Sequence, residues 1–270
     1  IGTNGMGHTF PGACAPFGIV QVSPDTDTIP HNIDGVYQPR AYEYCAGYQH
    51  KDSSIVGFSH THFSGTGHSD LGDILLMPFT GELQIHPGTA DNPDSGYRSR
   101  FSHDTEISRP GYYEVQLSDD LINVQLTATE RVGIHKYTYP ADQKKQLILD
   151  LNHGIYNYDG KVLWANLRVE NDTLLTGYRI TNGWSRVNYP YFAISFSQPI
   201  THYGYTDREK VNYPGGFRRF NTAENFPEIG GRKVVSYFEF KEGSAPLEIK
   251  VALSAVGTDG ALKNLQAETT

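Results

Sequence analysis

The stretch YYEVQLSDDLINVQLTATERVGIHKYTY, residues 112–139, alternates apolar and polar side chains over most of its length. In an extended chain, Tyr113, Val115 and Leu117 share one face, whereas Glu114 and Gln116 share the other. Residues 133–139 alternate in the same way. A period of two predicts strands with one buried and one exposed face, which is typical of antiparallel sheets.

Similar strand signals recur along the whole chain as short β-branched or aromatic runs bounded by Gly, Pro, Asn and Asp. Together they predict thirteen strands, at residues 18–22, 74–79, 82–85, 112–117, 123–129, 132–139, 146–151, 163–169, 173–180, 191–197, 202–205, 234–240 and 247–253. Helical periodicity is almost absent. The predicted fold is therefore all-β, a large two-layer antiparallel β-sandwich of more than a dozen strands.

Two segments interrupt this pattern: residues 24–57, which are rich in Pro, Gly, Asp and Tyr, and residues 207–231, which are similar in character. We predict long loops there, and long ordered loops in a compact sandwich are usually functional or form interfaces.

The last residues of the sequence change character after a β-run that ends near Ala255. Thr258 or Asp259 is expected to cap a short helix, whose apolar positions are Ala261, Leu262, Leu265 and Ala267. If this helix has no surface to cover, a helical domain should follow Thr270; the alternative is a terminal helix packed on the sandwich. We therefore divide the chain into a sandwich domain, 1–256, and the start of a linker or helix, 257–270.

The net charge of −8 and the absence of a basic run argue against a nucleic-acid partner or an anionic membrane surface. No apolar run is long enough to span a bilayer. The two cysteines, Cys14 and Cys45, form no C-x-x-C pair, so neither a thiolate zinc site nor a redox motif is expected. They could pair in a disulfide or remain free thiols.

The segment VGFSHTHFSGTGHSDLGDILLMP, residues 56–78, concentrates three histidines, two aspartates and four glycines. His60 and His62 lie two positions apart, which in a strand places both imidazoles on one face, as H-x-H metal sites require. No complete ligand set can be assigned, so we name no metal ligand. Two other interpretations stay open: a hydrogen-bonding scaffold between loops, and the lining of a polar pocket. Neither Asp70 nor Asp73 is assigned a catalytic role.

The segment GTNGMGHTFPGACAPFG, residues 2–18, contains five glycines. No phosphate-binding Lys follows, and Gly5-x-Gly7 is too short for a dinucleotide fingerprint. A glycine-rich edge for a neutral polar ligand fits better, with a convoluted turn as the alternative. Farther along, Trp184 lies beside Arg186; it could stack on a sugar or belong to the core.

Three blocks of the sequence resemble a known family: GMGHTFPGACAPFGIVQVSPDT, GYQHKDSSIVGFSHTHFSGTGHSDLGDILLMP and VALSAVGTDGALKNLQAE. They resemble the N-terminal domain of the glycoside hydrolase family 92 α-mannosidases. The resemblance implies a calcium-dependent, inverting exo-α-mannosidase with a β-sandwich followed by an (α/α)₆ domain. It places the general acid, a Glu, and the general base, an Asp, in that helical domain, so no catalytic residue is expected in this chain.

For this chain, the resemblance implies one wall of a pocket for terminal mannose. The positions that could bind substrate or form the interface are Gly5, Gly7, His8, His60, His62, Ser64, Gly65, Gly67 and Asp70. Asn4 stands where the family pattern has a glycine. Calcium prefers oxygen ligands, so we expect it to be held mostly by the helical domain.

The resulting hypothesis is a bacterial hydrolase of carbohydrate metabolism, periplasmic or secreted, that degrades mannose-containing N-glycans. Its partners would be those glycans and its own C-terminal helical domain. A stand-alone carbohydrate-binding module is the main alternative, and a cupin-like H-x-H metal enzyme is a further one. The linkage preference cannot be read from the sequence.

Overall fold

Two large antiparallel sheets form the molecule in this computed structural model, which describes residues 2–207 and 227–269. In chain order the strands are β1 (Ala13–Cys14), β2 (Gln21–Asp25), β3 (Asn32–Ile33), β4 (Val36–Tyr37), β5 (Ser54–Ile55), β6 (Gly57–Ser59), β7 (Leu75–Phe79), β8 (Ser99–Arg100), β9 (Ile107–Arg109), β10 (Tyr112–Leu117), β11 (Ile122–Ala128), β12 (Val132–Thr138), β13 (Lys145–Asp150), β14 (Val162–Asn171), β15 (Leu174–Thr181), β16 (Tyr191–Phe196), β17 (Ile200–Asp207), β18 (Glu228–Gly231), β19 (Val234–Phe240) and β20 (Leu247–Ser254). One α-helix, α1 (Thr258–Glu268), follows, and 3₁₀ turns occupy Pro39–Tyr44, Pro93–Ser95 and His103–Thr105.

Within the described residues, one sheet has the order β1-β2-β6-β7-β13-β19-β17 and the other β18-β14-β15-β16-β20-β12-β11-β10-β9. The hairpin β3-β4 and the pair β5-β8 are separate. Aromatic side chains join the two layers: the rings of Phe58 and Tyr137 lie 6.4 Å apart, and those of Phe196 and Phe238 lie 6.0 Å apart. The predicted two-layer sandwich is confirmed.

The alternating stretch of residues 112–139 forms the consecutive neighbours β10, β11 and β12 of the larger sheet. Tyr113, Val115 and Leu117 are fully buried, as are His135 and Tyr137 on β12. Period-two alternation therefore identified the inner face of each strand correctly.

Two strand predictions differ from the structure. Residues 82–85 form no strand and are largely exposed, so this short run finds no sheet edge to pair with. The strand predicted at residues 18–22 instead runs from Gln21 to Asp25, because the polar Ser23 and Asp25 are buried in the sheet despite their chemistry.

The predicted loop at residues 24–57 contains the short strands β3, β4 and β5 and one 3₁₀ turn. Of the predicted loop at residues 207–231, the end forms β18, which pairs with β14. Residues 208–226 lie outside the described part of the chain.

Helix α1 packs on the outer face of the larger sheet, where Ala261 and Leu265 bury themselves against Val132, Ala193 and Ala252. The expectation that this helix has no surface to cover is therefore wrong. The predicted capping is wrong too, since the helix follows Gly257 with no side-chain cap.

Both cysteines are free thiols; Cys14 is exposed and Cys45 is buried. Among the described residues, no helix has the length and apolar character that crossing a membrane requires.

Candidate functional site

His60 lies between the two sheets with none of its surface exposed. Its Nδ1 is 2.6 Å from the carbonyl of Ile74, which can only accept, so the proton sits on Nδ1. His60 Nε2 is 2.8 Å from Nε2 of His135, and His135 Nδ1 accepts from the hydroxyl of Tyr137 at 2.8 Å. Burial lowers the pKa of His60 to about 4, against a smaller opposing effect of the carbonyl. Both imidazoles are thus neutral, with every ring nitrogen paired.

His62 belongs to a second buried network that centres on Asp25. Its Nδ1 is 2.7 Å from the carbonyl of Gln21, and its Nε2 is 2.9 Å from Oδ1 of Asp25. The other oxygen of Asp25 lies 2.7 Å from Nε2 of His153. Nε2 of His62 also lies 3.2 Å from the hydroxyl of Ser59, so both nitrogens of His62 have partners within the protein. Burial alone would raise the pKa of Asp25, but the two imidazoles outweigh it and hold that pKa below its usual range.

Arg179, on β15, is fully buried and connects this network to further residues. Its Nε lies 3.2 Å from Oδ1 of Asp73, and its Nη2 donates to the carbonyl of His153 at 2.7 Å. The other oxygen of Asp73 accepts from the hydroxyl of Thr61 at 2.8 Å. The segments around residues 61, 73 and 153 are therefore fastened to one another from inside.

Asp70 forms a buried ion pair with Lys161 and also accepts from the backbone N–H of Trp184 at 2.8 Å. Burial raises the pKa of Asp70, but the bonds from Lys161 and Trp184 lower it more, so the carboxylate is ionised. Asp70 is thus the residue that anchors the loop carrying Trp184.

The glycine-rich N-terminal segment lies against the loop of residues 63–68. Gly5 is exposed with a φ of +59°, a conformation that glycine adopts readily. A Cβ on Gly7 would lie 2.2 Å from the carbonyl oxygen of Gly2, so this turn needs the absence of a side chain. The two segments are joined where the N–H of Gly65 donates to the carbonyl of His8 at 2.6 Å.

Aromatic side chains flank both the glycine-rich segment and the loop of residues 63–68. The rings of His8 and Tyr42 meet edge to face at 4.8 Å, and those of His68 and Trp184 at 4.6 Å. Trp184 is 64% exposed. A Cβ on Gly67 would lie 2.2 Å from the hydroxyl of Tyr42, so the loop passes directly beside it. We call this surface the rim; it is formed by Gly5, Gly7, His8, Tyr42, Ser64, Gly65, Gly67, His68 and Trp184.

His8 contributes a buried ring nitrogen just behind the surface of the rim. The residue is only 6% exposed, and its Nε2 finds no hydrogen-bond partner within the described ranges. Buried polar groups are almost always paired. An unpaired imidazole nitrogen at the edge of a loop surface therefore points to a ligand hydroxyl or a water.

The nine predicted binding positions thus divide into two groups. Those on the rim are Gly5, Gly7, His8, Ser64, Gly65 and Gly67, and those behind it are His60, His62 and Asp70. The scaffold interpretation of residues 56–78 holds for both histidines, against the expectation that they line a subsite. The H-x-H metal pair is also wrong, because protein groups already occupy all four ring nitrogens.

Sequence reasoning missed the partners that hold the rim, namely Asp25, His135, His153, Lys161 and Arg179. They are distant in sequence, and the one signal they carry is an isolated polar residue in or beside an apolar strand. Tyr42 was missed because it lies on a 3₁₀ turn inside a segment predicted as loop.

A cleft of about 400 Å³ opens beside the rim and is lined by Pro30, Tyr158, Arg232 and Lys233 among others. The hydroxyl of Tyr158 donates to the carbonyl of Asn182 at 3.2 Å, at the foot of the Trp184 loop. None of the nine predicted positions lines this cleft.

The buried carboxylates do not fit a calcium site. Calcium takes six to eight oxygen ligands, whereas Asp25 is bound by two imidazoles, Asp70 by Lys161 and Asp73 by Arg179. Within residues 2–207 and 227–269, one cluster of at least three His, Cys, Asp or Glu side chains is close enough to share an ion. It supplies two imidazoles and one carboxylate. That composition does not favour calcium.

The rim thus presents backbone amides, a hydroxyl, imidazoles and an exposed indole, a set of polar and aromatic groups without a full charge that suits a neutral polar ligand. The sequence model of the glycosyl hydrolase family 92 N-terminal domain matches residues 1–254. The chain therefore belongs to glycosyl hydrolase family 92, within its N-terminal domain.

Solved structures agree with this assignment. The GH92 α-mannosidase BT3965 of Bacteroides thetaiotaomicron, determined in complex with mannoimidazole, is 37% identical over 100% of this chain, with a TM-score of 0.86. The GH92 inverting mannosidase BT2199 of the same organism shares the fold at 21% identity, with a TM-score of 0.74. A protein of Arthroderma benhamiae described as an uncharacterized secreted glycosidase is 25% identical over 99% of this chain.

This chain spans about a third of the length of each of these relatives, 33% of both mannosidases and 34% of the fungal protein.

Proposed function

We propose that this chain is the N-terminal domain of an inverting exo-α-mannosidase, and that its rim forms one wall of the pocket for a terminal α-linked mannose. The observation that carries the proposal is the 37% identity, over the whole chain, to an α-mannosidase solved with mannoimidazole. The uncharged chemistry of the rim supports it, because mannose offers hydroxyls and apolar ring faces but no charge.

In this proposal the rim binds and orients the sugar. Nε2 of His8 lies just behind the rim without a hydrogen-bond partner among the described residues, and the N–H groups of the glycine segments offer uncharged donors to the sugar. The indole of Trp184 offers an apolar face to the sugar ring or to the leaving group. These contacts also exclude water from one side of the scissile bond.

The acid and base of the reaction come from elsewhere in this proposal. Inversion requires two carboxyl groups about 6.5–9.5 Å apart on opposite sides of the sugar, one to protonate the leaving oxygen and one to activate water. In the described part of the chain, Asp25, Asp70 and Asp73 are each paired with a buried basic side chain. We assign the Glu acid, the Asp base and most of the calcium ligands to a helical domain, with residues 1–256 as the sandwich and 257–270 leading to that domain.

The biological setting follows from the same reasoning. The relative from Arthroderma benhamiae is described as secreted, which supports a secreted or periplasmic protein. We propose that it removes mannose from mannose-containing glycans, including N-glycans.

The experiment is an assay of the complete natural protein on an aryl α-mannoside, followed by proton NMR of the sugar released. The proposal expects β-mannose as the first product. Release of α-mannose would contradict the inverting mechanism, and absence of turnover on α-mannosides would contradict the substrate class. Turnover by the 270-residue chain alone would contradict the placement of the carboxylates in another domain.

The exposed indole of Trp184 also favours a second candidate, a carbohydrate-binding module that acts without a partner domain. Calorimetry with methyl α-mannoside separates the two. A self-sufficient module binds in the isolated chain, whereas half of a pocket binds the sugar far more weakly than the complete protein does.

A further inference from the structure

Three side chains outside the rim converge on one point: His50, His103 and Glu106. Their potential ligand atoms all lie within 4.8 Å of one another. The imidazoles of His50 and His103 lie 4.0 Å apart at an angle of 31°, and His103 Nδ1 is 2.7 Å from Oε2 of Glu106. His50 is exposed, so the cluster is open to solvent on one side.

The carboxylate of Glu106 is held from behind by two tyrosines. Tyr113 donates to Oε1 at 2.6 Å, and the hydroxyl of Tyr48 is 2.9 Å from both oxygens. Hydrogen bonds of this kind fix the orientation of a ligating carboxylate.

Two imidazoles and one carboxylate form a ligand set that suits Zn²⁺ and its neighbours in the first transition row, and suits calcium poorly. A tetrahedral zinc ion with bonds of about 2.0–2.1 Å places its ligand atoms about 3.4 Å apart. The most distant of these ligand atoms therefore have to approach by up to about 1.4 Å, and the 2.7 Å pair of His103 Nδ1 and Glu106 Oε2 has to separate slightly. Rotation of the exposed His50 side chain allows this adjustment. Three protein ligands leave the fourth tetrahedral position to water.

We propose that His50, His103 and Glu106 form a binding site for a divalent transition metal, with Zn²⁺ as the best-matched ion. The site differs from the rim in residues and in chemistry, and it does not depend on the mannosidase proposal.

The surroundings of His50 indicate what a bound ion would do. The backbone N–H of His50 donates to the carbonyl of Thr3 at 2.8 Å, and the neighbouring Gln49 side chain donates to the carbonyl of Gly5 at 2.9 Å. An ion that fixes His50 to the turn at His103 therefore also fixes the glycine segment of the rim. We infer a structural site that braces this segment from its outer side.

The test is calorimetric titration of the complete natural protein, freed of metal by a chelator, with Zn²⁺ alone. His50→Ala and His103→Ala are the variants, since neither side chain belongs to the core. His86→Ala, which removes another exposed histidine, is the matched control. Far-UV circular dichroism checks that each variant is folded.

The proposal expects each variant to lose one equivalent of Zn²⁺ binding, or to bind that equivalent at least about 100-fold more weakly, while the control keeps it. Co²⁺ provides an independent readout, because a four-coordinate site gives strong visible absorption that both variants should lack. Equal Zn²⁺ stoichiometry and affinity in the parent and both variants would overturn the proposal. So would Co²⁺ spectra that are the same in all four proteins.

Discussion

His60 and His135 come from opposite sheets of the sandwich, and their Nε2 atoms lie 2.8 Å apart. Each ring uses its second nitrogen as well, toward the carbonyl of Ile74 and the hydroxyl of Tyr137. Such a pair joins the two layers only while at least one of the two Nε2 atoms is unprotonated, because two imidazolium ions would both present donors and repel each other.

The first prediction follows from this pair and concerns pH. Burial lowers the pKa of His60 from 6.5 to about 4 and that of His135 well below its ordinary value. Between pH 6.5 and pH 4 the unfolded chain therefore binds more protons than the folded chain, so the free energy of unfolding decreases as pH falls through this range. At about 1.4 kcal/mol for each pKa unit, His60 alone contributes up to about 3 kcal/mol to this loss.

Urea unfolding of the complete protein at several pH values measures the effect. The double variant His60→Gln/His135→Gln should show a flatter dependence between pH 4 and pH 6.5. In the parent, the ¹⁵N shifts of both rings should report neutral imidazole at pH 6. Two protonated rings at that pH would refute the assignment, whether or not the double variant folds.

The second prediction concerns Gly133, on which the ring of His60 rests. A Cβ at this position would lie 2.7 Å from Cδ2 of His60, and that ring is fixed on every side. Gly133→Ala should lower the free energy of unfolding by about 1–3 kcal/mol, the usual cost of overpacking a core. The control is Gly81→Ala, since nothing lies within 4 Å of a Cβ there. Equal stability of the two variants would count against the close contact.

The third prediction tests the network around Asp25. Asp25→Asn removes the charge that faces His62 and His153, and breaking a buried ion pair typically costs about 3–5 kcal/mol. Asp94→Asn is the control, because Asp94 pairs with Arg100 at the surface and is 75% exposed; solvent-exposed ion pairs contribute little to stability. Denaturant midpoints compare the two, and a small effect for both would show that the buried carboxylate is not charged.

The fourth prediction separates binding from folding at the rim. Trp184→Ala should leave the unfolding temperature almost unchanged, because the side chain is 64% exposed. It should reduce kcat/KM on mannosides about two- to tenfold, in line with the 0.5–1.5 kcal/mol of a typical aromatic contact. Trp164→Ala removes the other tryptophan, on β14, and should leave kcat/KM unchanged. A reduction of kcat/KM in the Trp164 variant alone would place the sugar elsewhere.

The sequence predicts the sandwich well because alternation reports directly on burial, as in β10 and β12. Prediction from alternation fails where polar residues are buried, as in β2, whose Ser23 and Asp25 are fully buried. The same failure explains the histidines of residues 56–78. An H-x-H spacing looks the same whether the imidazoles bind a metal, a sugar or the protein itself. The partners that decide are His135 for His60 and Asp25 for His62, which are 75 and 37 positions away.

The rim loops are tied down from their inner side, through His62 to Asp25 and through Trp184 to Asp70. A sugar therefore meets a surface that has already lost its conformational freedom during folding. Little further entropy is given up when the ligand arrives, so even a few uncharged contacts can yield useful affinity. The buried charges thus act as pre-organising elements for a site they never touch.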